Sequence, residues 1–526
     1  MTVEQRNPFV EIMPAVQGIF TKRRAVVLAL VGVAGFCLIV NSSWKVTPDS
    51  ALYLELGESL ALGKGYVFNG ERHTYVPPGY PGMIALIVKA FGTGFLNYRI
   101  LTAVLGILTA FAGWLLTARL CGRDIAFIAG GLFAINHTLL HNAAFTTSDV
   151  PFALVSLLAL NAVVSAGGGS KRVFWTIFAG FLLGLPALIR VNGWGIPPAA
   201  AIYLFTSWTD RAYSRRAVWI GVVLLLSVTP GLLWELYKAN IPGSFHEGSY
   251  LTAVGGRDVY AQIHIILHSA WGYVAETSEA LSGLTLKTGV LELVILVPVV
   301  IGMAAACLNG ERFFLSLTVI QFGGLLLSPA GSRYIILLLP GLYVFFFFGI
   351  TKCWGWIAGR ARTRRPIAVS TRRVIVGTFI ACAVFNVGHN MITIVGARSA
   401  LEHEGAESSR DLPFFEASRW LRANAPDAVI LTMHPRALRY LSGLRTVELV
   451  RSGFPEHEVW VNEQDKIRDL VTRTSPTFLF SDSKNREQYR HVMAAIESLG
   501  WEVREIAQVG SSDRFRLWMI RRQSSP

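Results

Sequence analysis

The sequence predicts a polytopic α-helical membrane protein of about eleven spanning helices, followed by a small α/β domain outside the membrane. Composition and hydropathy predict the membrane-spanning part. Hydrophobic residues make up 52% of the 526 residues and charged residues only 16%, whereas an ordinary soluble domain is about 25% charged. The apolar residues also form runs of about 20 that are apolar on every side, which is typical of helices that cross a bilayer.

These runs place the spans along the chain. They predict spans at about residues 25–43, 97–118, 123–141, 148–166, 173–190, 193–208, 217–238, 288–307, 312–329, 333–351 and 373–395. The first run is followed by Asn41-Ser42-Ser43-Trp44, which does not fit a small-x-small cleavage site, so we expect it to remain as a signal-anchor helix.

The basic residues predict the orientation of these spans. The formal net charge is +14, but Lys and Arg lie in particular short loops, which argues against nucleic-acid binding. With Lys22-Arg23-Arg24 in the cytoplasm, the other basic loops also fall there: Arg119 and Arg123; Lys171 and Arg172; Arg211, Arg215 and Arg216; Arg312; and the cluster from Arg360 to Arg373. The pattern predicts a multi-pass protein of a bacterial plasma (inner) membrane, with a cytoplasmic N-terminus and an extracytoplasmic C-terminal domain.

Three parts follow one another along the chain. Residues 1–24 are predicted to form a cytoplasmic tail, and residues 25–395 a membrane domain with long outer loops at 44–96 and 239–287. Residues 396–526 are predicted to form the soluble domain. In it, helical patterns alternate with strand-like ones: helices at 415–423, 464–474 and 488–499, and strands at 428–433, 477–480 and 514–520.

The first outer loop contains two predicted helices. One runs from Asp49 to Leu62, with Leu52, Leu56 and Leu60 on one face. Thr47-Pro48 supplies a cap followed by proline in the first turn, and the amphipathic pattern predicts that the helix lies along the membrane surface. The second helix runs from Gly79 to Phe91.

Two carboxylates are predicted at the outer face of the membrane, where a charge near hydrocarbon is costly and usually functional. Asp49 follows the first span, and Asp149 opens the fourth. Asp49 is a candidate general base that takes a proton from an acceptor hydroxyl or amine. Either residue can also be an acid in the first turn of a helix, where the helix dipole favours it.

Two arginines break the positive-inside pattern. Arg190 and Arg333 both lie at predicted outer helix ends. The planar guanidinium suits a phosphate, so these residues are candidates to bind a lipid phosphate and to stabilise a leaving group. The alternative is that each anchors a helix end among the lipid headgroups.

Histidines give a weaker signal. His73, shortly before the segment Pro77-Pro78-Gly79-Tyr80-Pro81, is a candidate to contact substrate. His137 and His141 share a helical face at a spacing that can bind zinc, but the sequence offers no third ligand, so no metal and no cofactor are predicted. All five cysteines lie in or beside apolar segments, so no disulfide framework is predicted for the C-terminal domain.

The order of these motifs resembles the GT-C glycosyltransferases, in particular glycosyltransferase family 39 and its relatives. Those relatives include protein O-mannosyltransferases, lipid A aminoarabinose transferases and galacturonosyltransferase-like proteins. Four elements carry the resemblance: Asp49 to Tyr53 (Asp-x-x-x-Tyr) in the first outer loop, Pro77 to Pro81, Ser148 to Phe152, and Arg333-Tyr334 followed by an apolar run to Pro340. Ser50 stands where much of the family has Glu.

The resemblance implies a GT-C-like fold and an inverting transfer of a sugar from a polyprenyl-phosphate donor to a cell-envelope acceptor. It implies that Asp49 is the base and that Arg333 and Arg190 hold the donor phosphate. Asp149 is implied as a second acid of the site. Tyr53 and Tyr80, which stand in the matched motifs, and His73, from its place in the first outer loop, are predicted as further substrate-binding residues. No metal is implied.

A transporter or lipid flippase is the alternative function, since it would share the spans and the interfacial charges. Transporters often contain internal repeats with broken helices at matching positions, and this sequence has no evident internal symmetry. A membrane receptor is a further alternative, but it leaves Asp49, Asp149 and Arg333 without a role.

Overall fold

The computed structural model of the chain describes residues 22–166, 172–208, 213–241, 259–284, 289–326, 330–361, 370–399, 411–449, 464–482, 486–509 and 515–522. The predicted cytoplasmic tail up to residue 21, residues 242–258 of the second outer loop and the basic segment 362–369 lie outside the described residues.

Within the described ranges, six helices are long and apolar enough to cross a membrane. Each matches a predicted span. They are α4 (Phe95–Cys121), α7 (Asp149–Ala166), α10 (Tyr213–Ala239), α12 (Val290–Leu308), α14 (Leu339–Ala361) and α15 (Thr371–Ser399). The chain is therefore a multi-pass, mostly helical membrane protein, as the sequence predicts.

The other five predicted spans match shorter helices: α1 (Lys22–Leu38), α5 (Arg123–Ala134) with α6 (His137–Ala143), α8 (Arg172–Gly184), α9 (Ile196–Ser207) and α13 (Phe313–Leu325). Local sequence explains one of the interruptions. Asn136 caps α6, because its side-chain oxygen accepts a hydrogen bond from the backbone N–H of Leu139 at 3.1 Å. Helix α8 gives way to two 3₁₀ turns, Leu185–Leu188 and Val191–Gly195.

The remaining helices of the described ranges lie in the loops and toward the C-terminus. They are α2 (Pro48–Ala61), α3 (Gly79–Phe91), α11 (Val259–Ser282), α16 (Leu412–Asn424), α17 (Pro435–Ser442), α18 (Gln464–Thr474) and α19 (Arg486–Glu497). Strands β1 (Val67–Phe68) and β2 (Glu71–Arg72) form a small antiparallel hairpin between α2 and α3. Both predicted helices of the first outer loop are therefore present.

Two compact units divide the chain. The first comprises Met1–Val40, Thr74–Tyr80 and Tyr98–Val395, and the second comprises Asn41–His73, Pro81–Asn97 and Gly396–Pro526. The first outer loop is thus shared between the two units, and most of it belongs to the unit that contains the C-terminal residues.

Glycines allow two helices of the first unit to pack closely. A side chain at Gly302 of α12 would collide with the carbonyl oxygen of Phe345, and one at Gly349 of α14 would collide with the carbonyl oxygen of Pro298. Small residues at such crossings let helix backbones approach each other in membranes, where van der Waals packing drives association.

A five-stranded sheet is the centre of the second unit. Its strands are β3 (Val429–Thr432), β4 (Arg445–Glu448), β5 (Phe478–Asp482), β6 (Trp501–Val509) and β7 (Phe515–Arg522), in the order β4-β3-β5-β7-β6. Strands β4, β3 and β5 are parallel, and β7 is antiparallel to both β5 and β6. The predicted small α/β domain is confirmed.

Successive side chains of each strand point to opposite faces of the sheet, and helices cover both faces. On one face, Ile430, Phe478 and Phe480 pack with side chains of α16 and α17. On the other face, Leu431 and Leu479 pack with side chains of α18 and α19. The C-terminal residues therefore form a three-layer arrangement of helices, sheet and helices.

Candidate active site

Helix α2 begins with a complete cap. The backbone N–H of Ser50 donates to Thr47 Oγ1 at 3.1 Å, and the backbone N–H of Thr47 donates back to Ser50 Oγ at 3.3 Å. Such reciprocal bonds satisfy two amides at a helix N-terminus. Trp44 Nε1 also donates to Ser50 Oγ at 3.0 Å. Ser50 therefore fixes the turn that carries Asp49.

Asp49 lies in the first turn of α2, and its partner comes from α17. Its Oδ1 is 3.5 Å from Nη1 of Arg436, and the Asp49 side chain is partly exposed. Two further acids of α2 also contact α17: Glu55 accepts from Arg439 Nε at 3.0 Å, and Glu58 accepts from the Tyr440 hydroxyl at 2.7 Å. Helix α17 thus contacts one polar face of α2.

Sequence reasoning missed α17 and its two arginines. The signal for the helix is nevertheless present, because proline occupies the first turn and Gly443 follows in the left-handed conformation with φ of 71°, the usual asymmetry of helix ends. No local pattern shows that Arg436 would approach Asp49, since the two residues lie 387 positions apart.

His73 and Tyr53 belong to the same unit as Asp49. Tyr53 is buried within α2. The His73 ring lies edge-on to Tyr66 and Phe68, with centroids 5.9 and 6.2 Å away. Burial, helped by the positive charge of Arg436, lowers the pKa of His73 to about 3. The His73 imidazole is therefore uncharged near neutral pH, with one nitrogen that donates a hydrogen bond and one that accepts.

In the first unit, Asp149 and Arg190 form a buried ion pair. Nη1 of Arg190 is 2.6 Å from Oδ1 of Asp149, and the same nitrogen donates to Ser148 Oγ at 3.1 Å. Asp149 is the first residue of α7, and Arg190 precedes the second 3₁₀ turn. Among the described residues, the other carboxylate oxygen, Oδ2, is buried without a hydrogen-bond partner. It is therefore available to accept a hydrogen bond from a ligand.

Tyr334 joins this pair to the second predicted arginine. The guanidinium carbons of Arg190 and Arg333 lie over the Tyr334 ring, 4.9 and 4.8 Å from its centroid. Arg333 Nη2 also donates to the Tyr334 hydroxyl at 2.8 Å. Cation–π contacts of this kind hold a guanidinium in place without consuming all of its donors. The structure thus brings Asp149, Arg190 and Arg333 together, as one group.

The Pro77 to Pro81 motif packs beside the segment that leads to Arg190. A side chain on Gly79 would lie 2.6 Å from the carbonyl oxygen of Leu188, so only glycine allows this approach. Tyr80 is fully buried. The predicted site residues therefore fall in two units: Asp49, Tyr53 and His73 in one, and Asp149, Arg190, Arg333 and Tyr80 in the other.

His137 and His141 have the spacing of a zinc pair, for which the sequence offered no third ligand. The His141 ring lies edge-on to Phe145. His137 instead lies with Glu279 and His389, and the ligand atoms of the three are within 4.8 Å of one another. In the part of the chain that the structure describes, this is the one group of at least three His, Cys, Asp or Glu with metal-binding proximity.

Comparison with known proteins gives a partial sequence match. Residues 75–234 match the family model of dolichyl-phosphate-mannose-protein mannosyltransferase. An uncharacterized protein of Aquifex aeolicus is 26% identical over 124 residues, which cover 23% of this chain and 24% of that protein. The chain thus matches about a quarter of the length of this relative.

Solved structures match over nearly the whole chain. ArnT from Cupriavidus metallidurans, bound to undecaprenyl phosphate, superposes with a TM-score of 0.54 at 15% identity, covering 95% of this chain and 98% of that one. The oligosaccharyltransferase AglB from Archaeoglobus fulgidus, in complex with an inhibitory peptide and a dolichol-phosphate, has a TM-score of 0.56 at 11% identity, covering 96% and 75%. At these identities the likeness shows a shared fold. Residues 75–234 therefore match this mannosyltransferase family model, and the chain as a whole shares the fold of ArnT and AglB.

Proposed function

We propose that the chain is an inverting glycosyltransferase that moves a sugar from a polyprenyl-phosphate donor to a cell-envelope lipid, glycan or protein. The observation that carries the proposal is the group formed by Asp149, Arg190, Arg333 and Tyr334. It holds two guanidinium groups near a buried carboxylate whose second oxygen has no described partner. The arginines suit a phosphate and the carboxylate suits a sugar hydroxyl.

The similar structures support the choice of donor class. ArnT was solved with undecaprenyl phosphate and AglB with a dolichol-phosphate, and both ligands are polyprenyl phosphates. The basic-loop pattern supports an inner-membrane location, with the N-terminus in the cytoplasm and residues 396–526 outside. The reaction would then take place at the outer face.

In the proposed mechanism, Asp49 is the general base. It removes a proton from the acceptor hydroxyl or amine while the acceptor lone pair forms a bond to the anomeric carbon. The bond from that carbon to the phosphate oxygen breaks, and its electron pair leaves with the phosphate. Attack from the face opposite the leaving group inverts the anomeric configuration.

The arginines act on the leaving group. Negative charge grows on the phosphate as the sugar departs, and Arg190 and Arg333 would stabilise it with charge-assisted hydrogen bonds. Asp149 would fix the Arg190 fork through the bond at 2.6 Å and accept a hydrogen bond from the sugar. Tyr53 and uncharged His73, in the unit of Asp49, and Tyr80, in the unit of Asp149, are proposed as further substrate-binding residues.

The proposal is tested with the purified chain in proteoliposomes, a panel of polyprenyl-phosphate sugars and a cell-envelope extract as acceptor source. Free polyprenyl phosphate is measured by mass spectrometry. We expect release from one donor class, and we expect Arg333→Gln to raise the donor concentration for half-maximal rate by about 10–100-fold, the loss of one charge-assisted bond. Arg419→Gln, an exposed position of α16, serves as the control and should match wild type.

The alternative transporter or flippase gives a different result in the same vesicles. It would move an intact lipid-phosphate sugar between leaflets and release no polyprenyl phosphate, with or without extract. That outcome would overturn the proposed activity, as would equal donor dependence in Arg333→Gln and Arg419→Gln.

A further inference from the structure

Three helices of the first unit bring one polar group together. His137 begins α6, Glu279 lies in the last turn of α11, and His389 lies in α15. Nε2 of His137 is 3.8 Å from Oε1 of Glu279. The rings of His137 and His389 stack with centroids 4.3 Å apart and planes 15° apart. Two imidazoles and one carboxylate therefore meet at one point, and this group shares no residue with the proposed donor site.

Asn386 determines which nitrogen of His137 carries the proton. The Asn386 amide nitrogen donates to the carbonyl of Cys382 at 2.9 Å, so its Oδ1 is turned toward α6. There Oδ1 accepts from the backbone N–H of His137 at 3.0 Å and lies 3.0 Å from His137 Nδ1. Since Oδ1 can only accept, Nδ1 must donate, and the lone pair of the neutral ring is on Nε2.

This arrangement matches the usual support of a metal-binding histidine. A ligating imidazole normally donates its other N–H to a carbonyl or carboxylate, which fixes the ring and its tautomer. Here the amide oxygen of Asn386 takes that part. Nε2 lies 3.8 Å from Glu279 Oε1 and 3.2 Å from Thr138 Oγ1, whose hydroxyl donates to the Nε2 lone pair and would have to give it up when a metal binds. Asn136 also donates to Asn386 Oδ1 at 3.3 Å and to the Tyr343 hydroxyl at 2.9 Å. The outer shell is thus built from several helices before any ligand arrives.

We propose that His137, Glu279 and His389 bind a divalent transition-metal ion of the zinc class. Two neutral imidazoles and a carboxylate form the ligand set of open zinc sites, in which a fourth position is left for water or another ligand. Ligand atoms of a tetrahedral zinc site lie about 3.3 Å apart, and those of this group lie within 4.8 Å. Small rotations of the Glu279 and His389 side chains would close that difference.

This group supplies three ligands for a metal, one from each of three helices, whereas His137 and His141 alone would supply only two. A bound ion would tie α6, α11 and α15 to one another. The competing description is a metal-free hydrogen-bonded core, in which His137 Nε2 only accepts a hydrogen bond from Thr138 Oγ1. The two descriptions differ in metal content, which can be measured without any assay of sugar transfer.

Metal binding is tested on the full-length chain, purified in detergent through a tag that contains no histidine. The protein is stripped with chelator and titrated with Zn²⁺ alone. Bound zinc is measured by elemental analysis after gel filtration, and its ligands by X-ray absorption at the zinc edge. We expect about one equivalent per chain, with nitrogen and oxygen ligands, and a higher unfolding temperature with zinc than without.

Glu279→Gln and His389→Gln keep the side-chain volume and remove a ligand. Each should weaken zinc binding by at least about 10-fold, since even an outer partner of a ligand is worth that much. The control is the double variant His264→Gln and His268→Gln, which removes an exposed pair of parallel rings on α11. This control should retain wild-type binding.

Loss of zinc only in the double variant would show that the exposed pair binds zinc adventitiously and would overturn the proposal. Absence of binding by wild type, or unchanged affinity in both Glu279→Gln and His389→Gln, would overturn it as well. Unfolding temperatures of the metal-free variants distinguish lost ligation from a damaged fold, because a folded variant unfolds near the metal-free wild type.

Discussion

The buried ion pair between Asp149 and Arg190 has two unequal partners. The Asp149 side chain is 1% exposed and that of Arg190 is 19% exposed. Arg190→Gln leaves a buried carboxylate without its counter-charge, whereas Asp149→Asn leaves a guanidinium that reaches solvent. We expect Arg190→Gln to lower the free energy of unfolding by about 3–5 kcal/mol and Asp149→Asn by less. Thermal unfolding in detergent measures both variants.

The double variant Asp149→Asn with Arg190→Gln separates stability from function. It removes both charges, so it should recover most of the stability that Arg190→Gln loses. It should not recover donor turnover, because the proposed phosphate ligand is still absent. Equal destabilisation by the two single variants, or recovered turnover in the double variant, would contradict the roles given to this pair.

His73 makes the stability of the protein depend on pH in a defined direction. Its folded pKa of about 3 lies below the ordinary value of about 6.5, so acid protonates the unfolded chain first. The stability that the neutral, buried His73 ring allows is fully present above about pH 6.5 and is lost as the pH falls toward about 3. Wild type should therefore lose more unfolding temperature than His73→Gln when pH is lowered from about 7.5 to about 5.

The control for this measurement is His491→Gln, an exposed position of α19. It should keep the acid sensitivity of wild type. If His73→Gln and wild type respond identically to acid, the burial of His73 beside Arg436 is not as described.

Helices α2 and α17 are coupled through Glu55 and Arg439. Their side chains are 16% and 22% exposed, so solvent screens the pair only in part. A double-mutant cycle with Glu55→Gln and Arg439→Gln should give a coupling free energy of about 1 kcal/mol. The pair Asp469 and Arg473, with exposures of 64% and 63%, is the control and should give about 0.5 kcal/mol or less. Equal coupling in both pairs would contradict the described contact.

The crossing of α12 and α14 predicts a strong effect from a single methyl group. Gly349→Ala would force the α14 backbone away from Pro298, so we expect a lower unfolding temperature and a lower yield of folded protein. Gly355 lies in the same helix with no neighbouring atom within 4 Å of an added side chain. Gly355→Ala should therefore behave as wild type, and equal effects would contradict the close crossing.

Local patterns were sufficient to predict most elements. A capping threonine, a proline in the first turn and a leucine face were enough to predict helix α2. Helix α3 has the predicted bounds, Gly79–Phe91. In the C-terminal part, β4, β6 and α17 were missed. Strand β4 is only four residues long and has a charged residue at each end, and the pairing of β6 with β7 shifts register between Glu505 and Ala507. Their alternation is weak because tertiary pairing, more than local propensity, stabilises them.

The sequence predicted which residues belong to the site, but it predicted only part of how they contact one another. Asp149, Arg190 and Arg333 each stood out as a charge at a helix end, and the structure joins them through Tyr334. Arg436 and the partners of His137 were missed, because contacts such as that of His137 with Asn386 link residues 249 positions apart. Such contacts depend on how helices cross, which no single-sequence periodicity encodes.

At the scale of the whole molecule, the two units explain why hydropathy described one part better than the other. Uninterrupted apolar runs correspond to the six long helices, while Asn136 caps a new helix within the predicted span 123–141. The sequence analysis assigned the first outer loop to the membrane domain. In the structure, residues 41–73 belong instead to the same unit as residues 396–526. Pairs such as Glu55 with Arg439, 384 positions apart, hold that unit together.

The central claim, that this chain transfers a sugar from a polyprenyl phosphate with Asp49 as base, is tested most directly by one measurement. Free polyprenyl phosphate is quantified by mass spectrometry after equal amounts of folded wild type and Asp49→Asn react with donor and envelope extract. Asp465→Asn, an exposed acid of α18, is the control. We expect wild type and Asp465→Asn to release the lipid phosphate at least about 100-fold faster than Asp49→Asn, the usual minimum for a general base. Equal release by Asp49→Asn, or no release by any of the three proteins, would contradict the claim.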